Sequence, residues 1–267
     1  MDSNTIKNNI LAKKSFLCIG LDTDLTKIPS HLLGDEDPMF AFNNAIIDAT
    51  KDLCVSYKIN TAFYEAQGLK GWQSMIKTLA YIPKDIFTIA DAKRGDIGNT
   101  STQYAKAFFE TMDFDSITVA PYMGADSVQP FLAFDGKWAI VLGLTSNEGA
   151  YDFQYTSSEG EKLFEKVIKK VSSWGHEDNL MFVIGATKAA QLKDIRTMIP
   201  NHFLLIPGVG TQGGSLQEVC INGMNDRIGL LVNVSRQIIY AGNGSDFAQK
   251  AREAASQIQQ EMSTYLS

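Results

Sequence analysis

Cysteine is scarce in this 267-residue sequence: only Cys18, Cys54 and Cys220 occur, far apart, with no C-x-x-C pair and no Cys/His ligand spacing. That argues against a disulfide framework or a structural zinc site and points to a reducing, cytoplasmic setting. Positive charge is also short. The 24 Lys and Arg face 30 Asp and Glu, a formal net charge of −6, and a net anion attracts neither nucleic acid nor an anionic membrane surface. Any phosphate must then be held by a local site. No window reaches the roughly 18 apolar residues of a membrane span, and the N-terminal "MDSNTIKNNILAKKSFLCIG" lacks the positive n-region, apolar stretch and cleavage site of a secretory leader. Linkers are missing too: no Pro/Ser-rich, low-complexity or compositionally distinct stretch divides the chain, so residues 1–267 read as a single domain with a short N-terminal lead-in. The three histidines, His31, His176 and His202, fall in polar or helix-flanking segments and read as surface or structural. Trp72, Trp138 and Trp174 read as packing.

What the sequence does have is alternation. Eight short β-rich apolar runs recur: Ser15–Asp22, Cys54–Asn60, Ile86–Asp91, Ser116–Ala120, Trp138–Thr145, Leu180–Thr187, Phe203–Gly210 and Ile228–Ser235. Segments of helical length lie between them, for example from Pro38, from Glu159 and from Ser245. In the second, Leu163, Val167, Ile168 and Val171 form a stripe one helix face wide. Strands alternating with helices are the mark of βαβ units and a parallel sheet, and eight repeats in about 250 residues predict a closed (β/α)₈ TIM barrel, class α/β.

Polar residues gather at one end of these strands: Asp22, Lys58, Asn60, Asp91, Lys93, Ser146, Gln212 and Arg236. Barrel enzymes build their sites there. The densest cluster is "DAKRGDIGNT", with Asp91, Lys93, Arg94 and Asp96 inside six residues. Residues alternate faces along an extended chain, so Asp91 and Lys93 are expected on one side and Ala92 and Arg94 on the other. Opposite charges at about 4 Å attract by roughly 4 kcal/mol at an effective dielectric near 20, so the lysine should be protonated, an acid or electrostatic group rather than a base. A structural salt-bridge network at a strand end is the alternative reading of the same residues. "PGVGTQGG" (Pro207 to Gly214) offers backbone N–H groups just before a helix start, and Arg236 offers a planar donor fork; both suit a phosphate. The glycines read equally well as an ordinary strand-to-helix turn. Asn147 to Gly160 is long for a loop in such a fold and is expected to act as a lid.

Taken together, "GLD", "YKIN", "DAKRGDIGNT", "TSNEGA", "PGVGTQGG" and "NVSRQIIYA" resemble, in order and spacing, the site segments of orotidine 5′-phosphate decarboxylases. The D-x-K-x-x-D form is similar to that of the bacterial type 2 branch. The resemblance implies decarboxylation of orotidine 5′-phosphate to uridine 5′-phosphate without metal or organic cofactor. It implies Lys93 as electrostatic stabiliser and proton donor, with Asp91, Asp96 and Lys58 in the catalytic set. Asp96 and Thr100 would come from the partner of a homodimer with shared sites. It implies Asp22, Lys58 and Asn60 on the ribose side, Thr145 and Ser146 at the pyrimidine edge, and Gln212, Gly214 and Arg236 at the phosphate. One departure stands out: Ser235 occupies a position before the arginine where the family often has glycine. Metal-dependent sugar-phosphate decarboxylases and synthases share the D-x-K-x-x-D pattern, and a catalytically silent nucleotide-binding relative would keep the fold.

Overall fold

The computed structural model describes residues 1–210 and 213–266. Eight parallel strands close into a barrel: β1 (Leu17–Gly20), β2 (Ser56–Asn60), β3 (Phe87–Arg94), β4 (Ser116–Val119), β5 (Trp138–Leu144), β6 (Leu180–Ile184), β7 (Leu204–Pro207) and β8 (Leu230–Val234). Each strand lies between its neighbours in sequence. This is the α/β barrel expected from the alternation, with each strand beginning in the segment read for it and β3 alone among the described strands running past its segment's end. Composition explains why the segments became strands. In "LMFVI" of β6 and "LLVNV" of β8 every residue is buried, because a parallel sheet covered on both faces leaves no solvent side.

The chain falls into two compact units, Asn8–Ala92 with Asn233–Ser267, and Met1–Lys7 with Lys93–Val232. In the first, helix Pro38–Thr50 starts where its sequence says it should. Asp37 accepts from the Phe40 N–H at 3.1 Å and Pro38 sits at the first turn, where it has no N–H to leave unpaired. Its Phe42 stacks on Phe247 of helix Phe247–Ser263, with ring centroids 5.3 Å apart. Burying that one side chain is worth about 2–3 kcal/mol of transfer free energy.

In the second unit Trp138 is fully buried and its indole N–H donates to the Met1 carbonyl at 2.7 Å, the packing role read for it. The helix expected from Glu159 begins instead at Leu163. Glu159 and Gly160 have φ of +57° and +82°, the left-handed pair of a two-residue hairpin turn, and they join Ser157–Ser158 to Glu161–Lys162 as a small antiparallel ribbon. Only after it does the helix start, with the Lys162 N–H donating to Glu165 Oε2 at 2.8 Å. Its buried face is Phe164, Ile168 and Val171, whereas Leu163 and Val167 of the expected stripe are half-buried. Among the described residues no helix is long and apolar enough to cross a membrane.

Candidate active site

Lys58 is the most deeply set charge among the expected site residues. It lies on β2, which runs beside β3 in a register that puts Asn60 opposite Asp91. Its ammonium donates to Asp22 Oδ1 at 3.2 Å and to Asp91 Oδ2 at 3.0 Å, with the three side chains only 5%, 17% and 11% exposed. Burial alone would push an ammonium's pKa down; here the two carboxylates outweigh it and hold Lys58 above the ordinary lysine value. The group is a fixed cation at any physiological pH. Asp22 is held in turn by its backbone. Tyr64 donates to the Leu21 carbonyl at 3.0 Å and Tyr240 to the Asp22 carbonyl at 2.9 Å. Asn43, buried between Tyr64 and Thr78, donates to both hydroxyls at 2.8 and 3.0 Å. Asn60 caps the short helix Thr61–Glu65, accepting from the Ala62 N–H at 3.2 Å. Arg236, exposed, opens the short helix Arg236–Ile239 after β8, preceded by Ser235. A Cβ on Gly20 would fall 1.9 Å from Ser235 Oγ, so the end of β1 must be glycine for Ser235 to sit where it does.

In the other unit, β3 runs on through Arg94, three residues beyond the expected end. Lys93 is exposed, and its backbone turns to φ +46°, a left-handed conformation that interrupts the simple alternation of faces expected there. Its N–H donates to Thr118 Oγ1 on β4 at 2.8 Å, which ties this conformation to the next strand. A non-glycine residue held in this region costs roughly 1–3 kcal/mol and is characteristic of functional segments. Arg94 is placed over the rings of Tyr104 and Phe108, 5.6 and 5.4 Å from their centroids, a packing contact. The Asp96 turn is pinned by Ser101, whose hydroxyl donates to the Asp96 carbonyl at 2.6 Å and accepts its N–H at 3.1 Å. Thr100 is exposed on helix Gly98–Lys106.

Thr145 and Ser146 follow β5, both half-buried. The Thr145 N–H donates to Gln154 Oε1 at 2.8 Å, its hydroxyl accepts from Gln154 Nε2 at 2.7 Å, and the same hydroxyl donates to Asn147 Oδ1 at 2.6 Å. Gly214 packs tightly: a Cβ there would meet that of Ala186 at 2.4 Å, and its N–H donates to the Gly208 carbonyl at 3.2 Å. Gln212 lies outside the described residues.

The structure thus brings Asp22, Lys58 and Asp91 into one bonded cluster and sets the other described candidates at strand ends or in the turns and helices that follow them. It also reveals side chains that sequence reading missed. Gln154 is one. Lys188, just past β6, is another: it is buried, and its ammonium lies 4.8 and 5.1 Å from the stacked rings of Tyr151 and Tyr155. The only sequence signal for either was the unusual length of the loop they secure. All three cysteines are buried, and burial pushes the Cys18 and Cys54 thiols up to about 12, which leaves neither a nucleophile near neutrality. Among the described residues no three His, Cys, Asp or Glu are grouped to hold a metal ion.

Residues 15–251 match the family model described as orotidine 5′-phosphate decarboxylase / HUMPS family. A Flavobacterium johnsoniae protein named orotidine 5′-phosphate decarboxylase is 63% identical, over 98% of this chain and 97% of its own. One of the same name from Bacteroides fragilis is 57% identical over 100% and 98%. Among solved structures, Leishmania donovani OMP decarboxylase superposes with a TM-score of 0.87 at 31% identity, covering 100% of this chain and 99% of its own.

Proposed function

The chain belongs to the orotidine 5′-phosphate decarboxylase / HUMPS family, and from that premise we propose that Lys93 acts as the electrostatic stabiliser and proton donor of a decarboxylation run without a cofactor. The reaction is conversion of orotidine 5′-phosphate to uridine 5′-phosphate and CO₂ in pyrimidine biosynthesis, as the names of relatives at 57–63% identity support. Loss of CO₂ from C6 leaves an electron pair in the plane of the pyrimidine ring, where neither the ring's π-system nor its carbonyls can share it. Stabilisation must come from a preorganised positive charge beside the carbon. An ammonium does both tasks, since it offsets the charge and can then deliver a proton to C6.

The observation that carries this reading is the buried Asp22–Lys58–Asp91 cluster beside the strand segment that bears Lys93. Lys58 keeps Asp91 ionised and oriented. The Asp91 carboxylate in turn repels the carboxylate of bound substrate, a repulsion relieved as neutral CO₂ forms. The larger share is assigned to the charge of Lys93, because it acts where the transition state differs most from the ground state.

The remaining assignments follow the parts of the substrate. Asp22 and Asn60 serve the ribose hydroxyls, Thr145 and Ser146 the pyrimidine edge, and Gln212, Gly214 and Arg236 the phosphate. The Gly214 amide donates to the Gly208 carbonyl, so its phosphate role requires that bond to be exchanged. Asp96 and Thr100 act in the site of the partner subunit, making the active form a homodimer in the cytoplasm. The test is an absorbance assay of orotidine 5′-phosphate loss with and without exhaustive chelation. Equal turnover in both supports the cofactor-free reading; activity abolished by chelation would support a metal-dependent reaction, and no turnover in either would reject catalysis on this substrate.

A further inference from the structure

We infer that Asn43, on helix Pro38–Thr50, is a positioning residue that fixes Asp22 by holding the residues on either side of it. The inference rests on the assignment of Asp22 to the ribose hydroxyls. Residues 21–24 follow β1 in no regular element, so neither a strand ladder nor a helical repeat sets their course. Asn43 is fully buried, on a helix face whose other buried residues are Met39, Phe42, Ile46, Ile47 and Thr50. A carboxamide there costs free energy unless its polar atoms are bonded, and these are. Thr23 donates to its Oδ1 at 2.5 Å, and its Nδ2 donates to the Tyr64 hydroxyl at 2.8 Å and to Thr78 Oγ1 at 3.0 Å.

The directions of these bonds are forced. A carbonyl can only accept, so the Tyr64 proton goes to the Leu21 carbonyl at 3.0 Å, and the Tyr64 oxygen must then accept from the amide nitrogen of Asn43. Burial raises the Tyr64 hydroxyl above the ordinary tyrosine value, which keeps that proton in place. The amide oxygen is thereby turned to Thr23. One side chain reaches both neighbours of Asp22: Thr23 directly, and Leu21 through a tyrosine. The rest of the segment is tied as well. The Leu21 N–H donates to the Lys58 carbonyl at 2.8 Å, and the Tyr240 hydroxyl donates to the Asp22 carbonyl at 2.9 Å while accepting the Asp24 N–H at 2.7 Å. Held across four consecutive residues, Asp22 presents its carboxylate to Lys58 at 3.2 Å. Asn43→Leu would keep the volume of the side chain but remove the group that orients Thr23 and Tyr64, and a supporting layer of this kind fixes the geometry of residues that meet a ligand without meeting it itself.

The experiment compares two ligands that differ only in the ribose hydroxyls, uridine 5′-phosphate and 2′,3′-dideoxyuridine 5′-phosphate, and reads the ratio of their Kd values. In Asn43→Leu the preference for the hydroxyl-bearing ligand should fall about fivefold or more, the scale of one lost hydrogen bond. In an Asp22→Ala background the same substitution should leave the ratio within about twofold, because a residue that acts through Asp22 has nothing left to act on. Thr78→Val removes the partner of Asn43 outside this chain of bonds; it should lower the melting temperature and keep the wild-type ratio. Thermal unfolding of each variant checks folding, and should Asn43→Leu fail to fold, Tyr64→Phe, which takes one oxygen from the same chain of bonds, is read in its place. A wild-type ratio in the Asn43 variant overturns the inference, as does an equal fall with and without Asp22, or an equal fall in Thr78→Val, since either would make the effect one of stability alone. A wild-type ratio in Asp22→Ala itself would instead reject the ribose assignment, and the inference with it.

Discussion

At the scale of single residues, the proposed reaction gives Lys93 and Lys58 different tasks. Lys58 is buried and bonded to two carboxylates, so its proton is held too tightly to be given away. Lys93 is exposed, in a left-handed backbone at the end of β3, where its side chain can meet a ligand. Replacing Lys93 with Ala should therefore lower kcat by about a hundredfold or more, the scale expected when a preorganised charge is removed. The melting temperature should change little, because an exposed side chain contributes little to packing. A variant within tenfold of wild type would remove Lys93 from the role assigned to it. His202 supplies a stability prediction of its own. Burial against Phe182 holds its pKa down at about 4, and among the described residues neither ring nitrogen has a hydrogen-bond partner. The unfolded chain takes up this proton near the ordinary value of about 6.5, so stability is full above that pH and falls as pH drops toward 4, by up to about 3 kcal/mol. Denaturant unfolding between pH 7 and 4 should show the loss, and His202→Phe should flatten it; an unchanged slope in the variant would assign the acid sensitivity elsewhere. The charges of "DAKRGD" were legible from the sequence. Their geometry was not, because alternation of faces presumes an extended φ that Lys93 does not adopt.

At the scale of elements, the strands were the most legible part, since buried parallel strands leave nearly continuous apolar runs and end where polar residues begin. The helix expected from Glu159 starts later, at Leu163, and of its expected stripe Ile168 and Val171 are buried while Leu163 and Val167 are half-buried. Glu159 and Gly160 form a hairpin turn whose signal is two residues long and is outvoted by the longer period. Gln154 and Lys188 escaped notice for a related reason: each acts through a tertiary contact, and nothing local marks it. Gly20 and Ser235 show how an element's end can be predicted once the coordinates are known. In Gly20→Ala the new methyl would lie 1.9 Å from Ser235 Oγ, well inside contact distance, so the turn carrying Arg236 must shift. Because the phosphate is remote from the bond that breaks, the defect should appear first in KM, raised about tenfold or more, the scale of a displaced charge-assisted contact. Adding Ser235→Gly removes the obstructing side chain and should restore most of the lost affinity. If the double variant is as poor as the single one, displacement of Arg236 is not the cause.

At the scale of the whole molecule, length and periodicity were enough to predict the closed barrel, whereas assembly lay beyond what one chain's pattern of apolar residues can specify. If the chain folds as the single domain read from its sequence, it should unfold in one calorimetric transition; two resolved transitions, matching the two compact units, would divide it. The shared site is the more demanding proposal. If Asp96 and Thr100 act across a dimer, then Lys93→Ala and Asp96→Ala damage complementary halves of the same site. Each variant alone should be nearly inactive. Mixed and allowed to exchange subunits, a random population contains about half hybrids, and in each hybrid one site collects both defects while the other receives neither, as two-fold symmetry requires. About a quarter of wild-type activity should return, rising with time as subunits exchange and failing to appear when the subunits are crosslinked before mixing. Absence of recovery, with hybrids demonstrated by differently tagged subunits, would mean that Asp96 serves the same subunit as Lys93, and the site would then have to be complete within one chain.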